Sequence, residues 1–287
     1  MSVLSLSELP PDLEAAVTRL IADALAEDIG PGDVTSQSVI PADLRFSGVM
    51  AAREEMVVAG MPFAARVFAI VVPEAVFTPL VQDGDKIAPG AILARMEGPA
   101  RGLLTAERTA LNLLQHLSGI ATLTRTYVDR IKGTGATLLD TRKTIPGLRQ
   151  LAKYATRMGG AKNHRMGLYD GVLIKDNHIA VCGSVAEAVR RAQAAKTGNV
   201  EVETDTLEQV REAVEAGADI ILLDNMEPPT LRQAVSIVAG RAKTEASGGV
   251  TLDTIRPIAE TGVDYISVGR LTQSARAIDI GLDWAAQ

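Results

Sequence analysis

Two rhythms of apolar and polar positions divide the chain. Near the start, LPPDLEAAVTRLIADALAEDIG repeats apolar residues at helical spacing. It is entered through proline and left through glycine, which predicts a helix. FSGVMAAREEMVVAGM and FTPLVQDGDKIAPGAILARMEG follow as short strand-like pieces, broken by Asp-Gly and Pro-Gly turn signals. This half predicts an α+β layer. TAERTALNLLQHLSGIATLTRTYVDRIKG then predicts one long helix leading into the second half.

From residue 136 short apolar runs alternate with amphipathic stretches. The candidate strands are ATLLDT, DGVLIKD, NVEVETD, DIILLDN, AKTEASGG and DYISVGR, separated by helix-like pieces such as LEQVREAVEAGA and LDTIRPIAETGV. Alternation of this kind is the βα pattern of a parallel sheet. About six strands are visible, against the eight of a closed barrel, and an open sheet competes with a barrel. In either architecture functional groups collect at the C-terminal strand ends. Polar residues stand there: Thr141, Arg142 and Lys143; Lys175 to His178; Glu203; Asp224 and Asn225; Ser247, Gly248 and Gly249; Gly269 and Arg270.

Charge sharpens this picture. The chain carries a net charge of −6, yet the window from Arg142 to Lys175 holds eight cations against a single acid, Asp170. A pI near 5.2 and 3% aromatic residues argue against nucleic-acid binding, whereas a local basic patch suits a small anion. The single cysteine, Cys182, excludes an intrachain disulfide and fits a reducing compartment. The N-terminal stretch lacks the features of a signal peptide, and no apolar run approaches the roughly 20 residues of a membrane span. The expectation is a cytoplasmic protein without membrane or nucleic-acid partners.

The strand-end groups sort into three kinds. Arg142, Lys143, His164, Arg165 and Lys175 are cationic and suit a ligand with several negative groups, with arginine forks matched to carboxylates. Arg149, Lys153 and Arg157, spaced by four, are expected to line the solvated face of the helix LRQLAKYATRMGG. Glu201, Glu203, Asp205 and Asp224 are carboxylates, and Glu201 and Glu203 share one strand face. Hard oxygen ligands near phosphates suit Mg²⁺, with ion pairing to nearby lysines as the alternative. The glycines of SGG and VGR suit close backbone approach to phosphate. His178 and Asn177 are left open, and Cys182 is expected to be inert. No nucleophile elbow, Walker A loop or CxxC is present, and GTGATL lacks the complete dinucleotide fingerprint.

The blocks LLDTRKTIPGLR, GGAKNHRMGLYDGVLIKDNHI, EVETDTLEQV, ILLDNM and EASGGV, with ALAEDIGPGDVTS and TAERTALNLLQHLSGIATLT earlier, resemble the decarboxylating quinolinate phosphoribosyltransferase family over nearly the whole chain. The resemblance implies an α/β fold: a mixed α+β N-terminal domain over 1–115, an incomplete (open) α/β barrel over 116–274, and a segment 275–287 returning to the first domain. It implies transfer of phosphoribosyl from 5-phosphoribosyl-1-pyrophosphate to quinolinate, giving nicotinate mononucleotide, pyrophosphate and CO₂, with Mg²⁺. Similarity assigns the quinolinate carboxylates to Arg142, His164, Arg165 and Lys175, with Arg108 supplied by a neighbouring subunit. Lys143 would face the phosphoribosyl donor beside Thr141. Glu203 and Asp224 would sit near the metal, directly or through water, and the ribose, with Glu201 auxiliary. Ser247, Gly248, Gly249 and Gly269 would hold phosphate. A homodimer with a shared site is implied, and its assembly into hexamers is left open. One segment departs: the chain reads VGRLTQSA where members often read VGALTHSA. Gln273 stands in place of a histidine, and Arg270 is the candidate substitute contact. The rival readings are the related molybdenum-utilisation protein of pyrophosphorylase type, disfavoured by the full cation set for a dicarboxylate, a Schiff-base aldolase using Lys175, and a non-catalytic anion-binding module.

Overall fold

The computed structural model describes residues 9–196 and 198–284. Its strands in chain order are β1 Arg45–Ala52, β2 Met56–Val57, β3 Val76–Pro79, β4 Lys86–Ile87, β5 Ile92–Pro99, β6 Thr137–Leu139, β7 Val172–Ile174, β8 Val200–Thr204, β9 Ile220–Asp224, β10 Lys243–Ser247, β11 Tyr265–Ser267 and β12 Ile280–Trp284. Contacts divide the chain into two units. The first holds residues up to Thr124, Pro146–Gly160 and the segment from Ser274 onward; the second holds Arg125–Ile145 and Ala161–Gln273.

In the first unit, an antiparallel sheet runs in the order β12-β1-β5-β3, and β2 pairs with β4. Helix Pro11–Ile29 buries Leu13, Val17, Ile21 and Leu25, one per turn, as its period predicts. Helix Met61–Val71 is apolar on most sides and buries Met61, Phe63, Ala64, Val67 and Phe68. Its start is fixed by Asp83, whose carboxylate accepts the Gly60 and Met61 N–H groups (2.7 and 3.0 Å) and the Tyr154 hydroxyl (2.7 Å). Helix Ala100–Arg130 spans 31 residues, and the division between units falls inside it. Against it lies the returning segment: Gln115 donates to Ile280 O (2.8 Å), and a Cβ on Gly119 would stand 1.9 Å from Arg276 O.

Helix Arg149–Gly159 also belongs to the first unit, where Leu151, Ala152, Tyr154 and Ala155 join the core. This corrects the expectation of a wholly solvated basic stripe. Arg157 is exposed and Arg149 half-buried, but Lys153 is fully buried. A spacing of four keeps three side chains on one stripe without deciding what that stripe meets.

The second unit is an all-parallel sheet of six strands in the order β6-β11-β10-β9-β8-β7. Read around a circle, that order is simply the chain order, interrupted between β6 and β7. A doubly wound sheet reverses at a switch point. This one has no reversal, so it is a barrel sequence left open at one seam. Helices covering the sheet, such as Leu207–Glu215 and Pro228–Val238, bury Val210, Ala213 and Val214, and Leu231, Ala234 and Val238.

Candidate active site

Alternation along the six strands decides which side chains share a face. In β8 Glu201 and Glu203 lie on one side; in β9 Leu222 and Asp224; in β10 Glu245 and Ser247. The register aligns them: Glu203 opposite Leu222, Leu222 opposite Glu245, and Asp224 opposite Ser247. The result is a cavity of about 630 Å³, lined wholly by the second unit.

The cations converge on it. Arg142, Lys143, His164, Arg165 and Lys175 all line the cavity. Asp140, buried just beyond β6, seats His164 by accepting its N–H (2.9 Å) and the Asn163 side-chain amide (2.5 Å). Arg165 donates to Gly171 O (3.1 Å), and burial, then the adjacent Arg142 charge, lowers its pKa. Arg142 Nε is buried without a hydrogen-bond partner among the described residues. Two like-charged guanidiniums brought together and partly desolvated are an arrangement that an anion relieves. Lys143 is held through its backbone: its N–H donates to Thr141 Oγ1 (3.0 Å), and its carbonyl accepts from Thr272 Oγ1 (2.7 Å).

The acids and glycines complete the rim. Lys175 is ion-paired with Glu203. Asp224 accepts from Asn225 Nδ2 (2.6 Å), and its pKa is raised by burial, then by the Glu203 and Asp205 charges. Repelling carboxylates of this kind are a hard-oxygen donor set that fits Mg²⁺. Ser247, Gly248, Gly249, Gly269, Arg270 and Gln273 line the same cavity. Gly248 has φ +95°, and a Cβ there would meet Asn225 Oδ1 at 2.2 Å. A Cβ on Gly269 would meet Lys143 Cδ at 2.8 Å.

Three residues take places that the strand ends alone do not specify. Arg108 is exposed on helix Ala100–Arg130 in the first unit and does not line this cavity. His164 has both ring nitrogens engaged by protein: Nδ1 accepts the Arg165 N–H (2.7 Å), and Nε2 lies 3.1 Å from Glu201 Oε2 and 3.6 Å from Glu245 Oε2. A backbone donor at Nδ1 places the ring proton on Nε2, which therefore donates into the carboxylates. His178, left open from sequence, serves helix Asp176–Cys182: its Nδ1 accepts the Lys175 N–H (2.9 Å) at the helix start.

Glu245 and Ser267 escaped the sequence reading. The signal was present as period two in KTEAS and YIS, but polar alternation in one strand does not distinguish a concave, ligand-facing side from a solvated one.

Fold and cavity together define an α/β-barrel enzyme whose small substrate carries several negative groups. Comparison with known proteins makes this specific. Residues 33–118 match the quinolinate phosphoribosyl transferase N-terminal domain, and residues 120–283 its C-terminal domain. The probable nicotinate-nucleotide pyrophosphorylase (carboxylating) of Bacillus subtilis is 45% identical over 267 residues, 92% of either chain. The mitochondrial quinolinate phosphoribosyltransferase (decarboxylating) 2 of Nicotiana glauca is 44% identical, over 90% of this chain and 79% of that one. The solved nicotinate-nucleotide pyrophosphorylase of Francisella tularensis superposes with a TM-score of 0.92 at 42% identity, covering 98% of this chain and 99% of that one. The chain belongs to the quinolinate phosphoribosyl transferase family. Among the described residues no helix is long and apolar enough to cross a membrane.

Proposed function

We propose that the protein transfers the phosphoribosyl group of 5-phosphoribosyl-1-pyrophosphate to quinolinate with decarboxylation, releasing nicotinate mononucleotide, pyrophosphate and CO₂ on the route to NAD. One observation carries the reading: a cluster of cations faces an acidic pair and glycine loops across a single cavity. The two adjacent carboxylates of quinolinate suit the forks of Arg142 and Arg165 with Lys175 beside them, while His164 shapes the wall. Lys143 and the loops at Ser247, Gly248, Gly249 and Gly269, with Arg270 in place of a histidine, suit the phosphoribosyl donor.

As pyrophosphate departs, positive charge develops at the anomeric carbon, and the Glu203 and Asp224 carboxylates stabilise it electrostatically. The cations hold the pyridine nitrogen in line with that carbon, removing the entropy cost of encounter. Bound Mg²⁺, with Glu203 and Asp224 as ligands directly or through water, supplies charge neutralisation for the leaving group. Once quaternised, the positively charged ring nitrogen stabilises the electron pair left on C2 in the ring plane when the 2-carboxylate leaves as CO₂, and C2 then takes a proton from solvent to give nicotinate mononucleotide. Lys175 serves here as a cation and not as a Schiff-base nucleophile, consistent with its ion pair to Glu203.

The active unit in this reading is a homodimer in which Arg108 of one subunit enters the site of the other. A cytoplasmic location suits the single Cys182. Purified protein mixed with quinolinate, 5-phosphoribosyl-1-pyrophosphate and Mg²⁺ is expected to release CO₂ and nicotinate mononucleotide. Absence of both defeats the reading, and equal use of nicotinate defeats the two-carboxylate argument.

A further inference from the structure

Beneath the cation-lined wall lie two carboxylates that the reaction outlined above leaves without a task. Glu245 is 1% exposed and Glu201 5% exposed. In each, one carboxylate oxygen, Oε1, is buried without a hydrogen-bond partner among the described residues. Both remaining oxygens converge on the single Nε2 proton of His164, Glu201 at 3.1 Å and Glu245 at 3.6 Å. Burying one ionised carboxylate costs several kcal/mol unless it is well paired, and two that share one proton donor are worse.

The surroundings of Glu245 differ from those of the other acids. From β8 it faces the Glu201 carboxylate, and from β9 the apolar Leu222 stands opposite it. From β11 the Ser267 side chain favours its ionised form, and Tyr265 is its register partner. His164 is its nearest cationic-type neighbour, and the Lys175 charge reaches it only as a minor influence. Glu203, by contrast, owns the Lys175 ion pair, Glu201 holds the shorter contact to His164, and Asp224 keeps the Asn225 amide. Any further negative charge entering the cavity is therefore least tolerable to Glu245, the acid with the weakest partners. Arg142 and Arg165 line the same cavity, so a ligand carboxylate that engages them brings its negative charge into the space Glu245 also lines.

We propose that Glu245 is a substrate-linked proton acceptor: when a dianionic ligand occupies the cation-lined cavity, the Glu245 carboxyl takes up one proton from solvent and holds it while the ligand remains. The inference rests on the functional reading above, with quinolinate as the dianion. The free-state pKa fits this role, since burial first, and then the Glu201 charge, push Glu245 up to about 7. Near neutral pH its carboxyl is poised between its two states, and an incoming dianion tips it to the neutral one. Proton uptake and ligand binding then favour each other equally, as linkage requires.

The test is isothermal titration of the full-length protein with quinolinate, Mg²⁺ present throughout, in two buffers of different ionisation enthalpy. At pH 8 roughly nine-tenths of Glu245 is ionised in the free protein for a pKa of about 7, so uptake close to one proton per site is expected; at pH 6 it falls to a small fraction. Glu245→Gln should still bind quinolinate but lose the buffer-dependent heat at pH 8. Ser267→Ala keeps the carboxyl and removes a neighbouring side chain that favours its ionised form, so the pH of half-maximal uptake should move upward. Binding without buffer-dependent heat at pH 8, or uptake in Glu245→Gln equal to wild type, overturns the inference while leaving the functional reading intact. Failure of quinolinate to bind at all overturns the functional reading, and the inference with it.

Discussion

Replacing Gly248 by alanine tests how the last strand ends hold the site together. Its φ of +95° costs an L-residue about 1–2 kcal/mol. The added methyl would stand 2.2 Å from Asn225 Oδ1 and 2.9 Å from the Asn225 backbone nitrogen. The side-chain end can swing away, but the nitrogen cannot move freely. Asn225 is itself at φ 52°, and its N–H donates to Ser247 O at 2.9 Å. Moving Asn225 also pulls its amide from Asp224, at 2.6 Å, a hydrogen bond to a charged group worth about 1.5–3 kcal/mol. The backbone strain should lower Tm by about 2–8 °C. Displacing Asp224 by a fraction of an ångström to 1 Å should cost kcat/KM on the order of 10²-fold. Gly249→Ala is the comparison, because Gly249 has φ +61° and nothing within 4 Å of its added Cβ. It should share the modest loss of Tm and show a much smaller loss of turnover. A Gly248→Ala enzyme within twofold of wild type, or equal losses in both variants, would refute the linkage from Gly248 through Asn225 to Asp224.

Two further outcomes are expected. Arg108→Ala and Lys143→Ala, each inactive alone, should regain part of the activity when mixed under conditions of confirmed subunit exchange, and no recovery argues against a shared site. Glu54 is held down to about 2, chiefly by its ion pair with Arg276 and then by the Asp279 N–H. A depressed folded-state pKa contributes stability above the ordinary value of 4.5 that fades as pH falls toward 2. Glu54→Gln should therefore be less stable than wild type at pH 6 and indistinguishable from it near pH 2 in acid unfolding, whereas a gap that persists at pH 2 contradicts the assignment.

The second unit was legible because each buried parallel strand writes its own end: VLIK, IILLD and YIS each pass from apolar to polar where the chain leaves the sheet. The cations and acids at those ends fall in one cavity for that reason. Helix Met61–Val71 was not distinguished from the strands around it, since a segment buried on most sides shows no amphipathic period. Lys153 was misplaced for the opposite reason: its period was clear, but a stripe of cations says nothing about what packs over it. Glu245 was silent because a glutamate between Thr244 and Ala246 looks the same whether its carboxyl meets water or a buried neighbour. The ring nitrogens of His164 were beyond the sequence altogether, being assigned by a backbone N–H one residue away and carboxylates from β8 and β10.

The pairing of β12 with β1 has a consequence for how the chain is made. Residues 280–284 supply one of the two neighbours of β1, and helix Arg149–Gly159 contributes core to the same unit. A ribosome that has finished the first 124 residues has therefore not yet delivered all the parts of the first unit. The second unit has every one of its strands once residue 267 has emerged, so the part of the protein begun first is the part completed last.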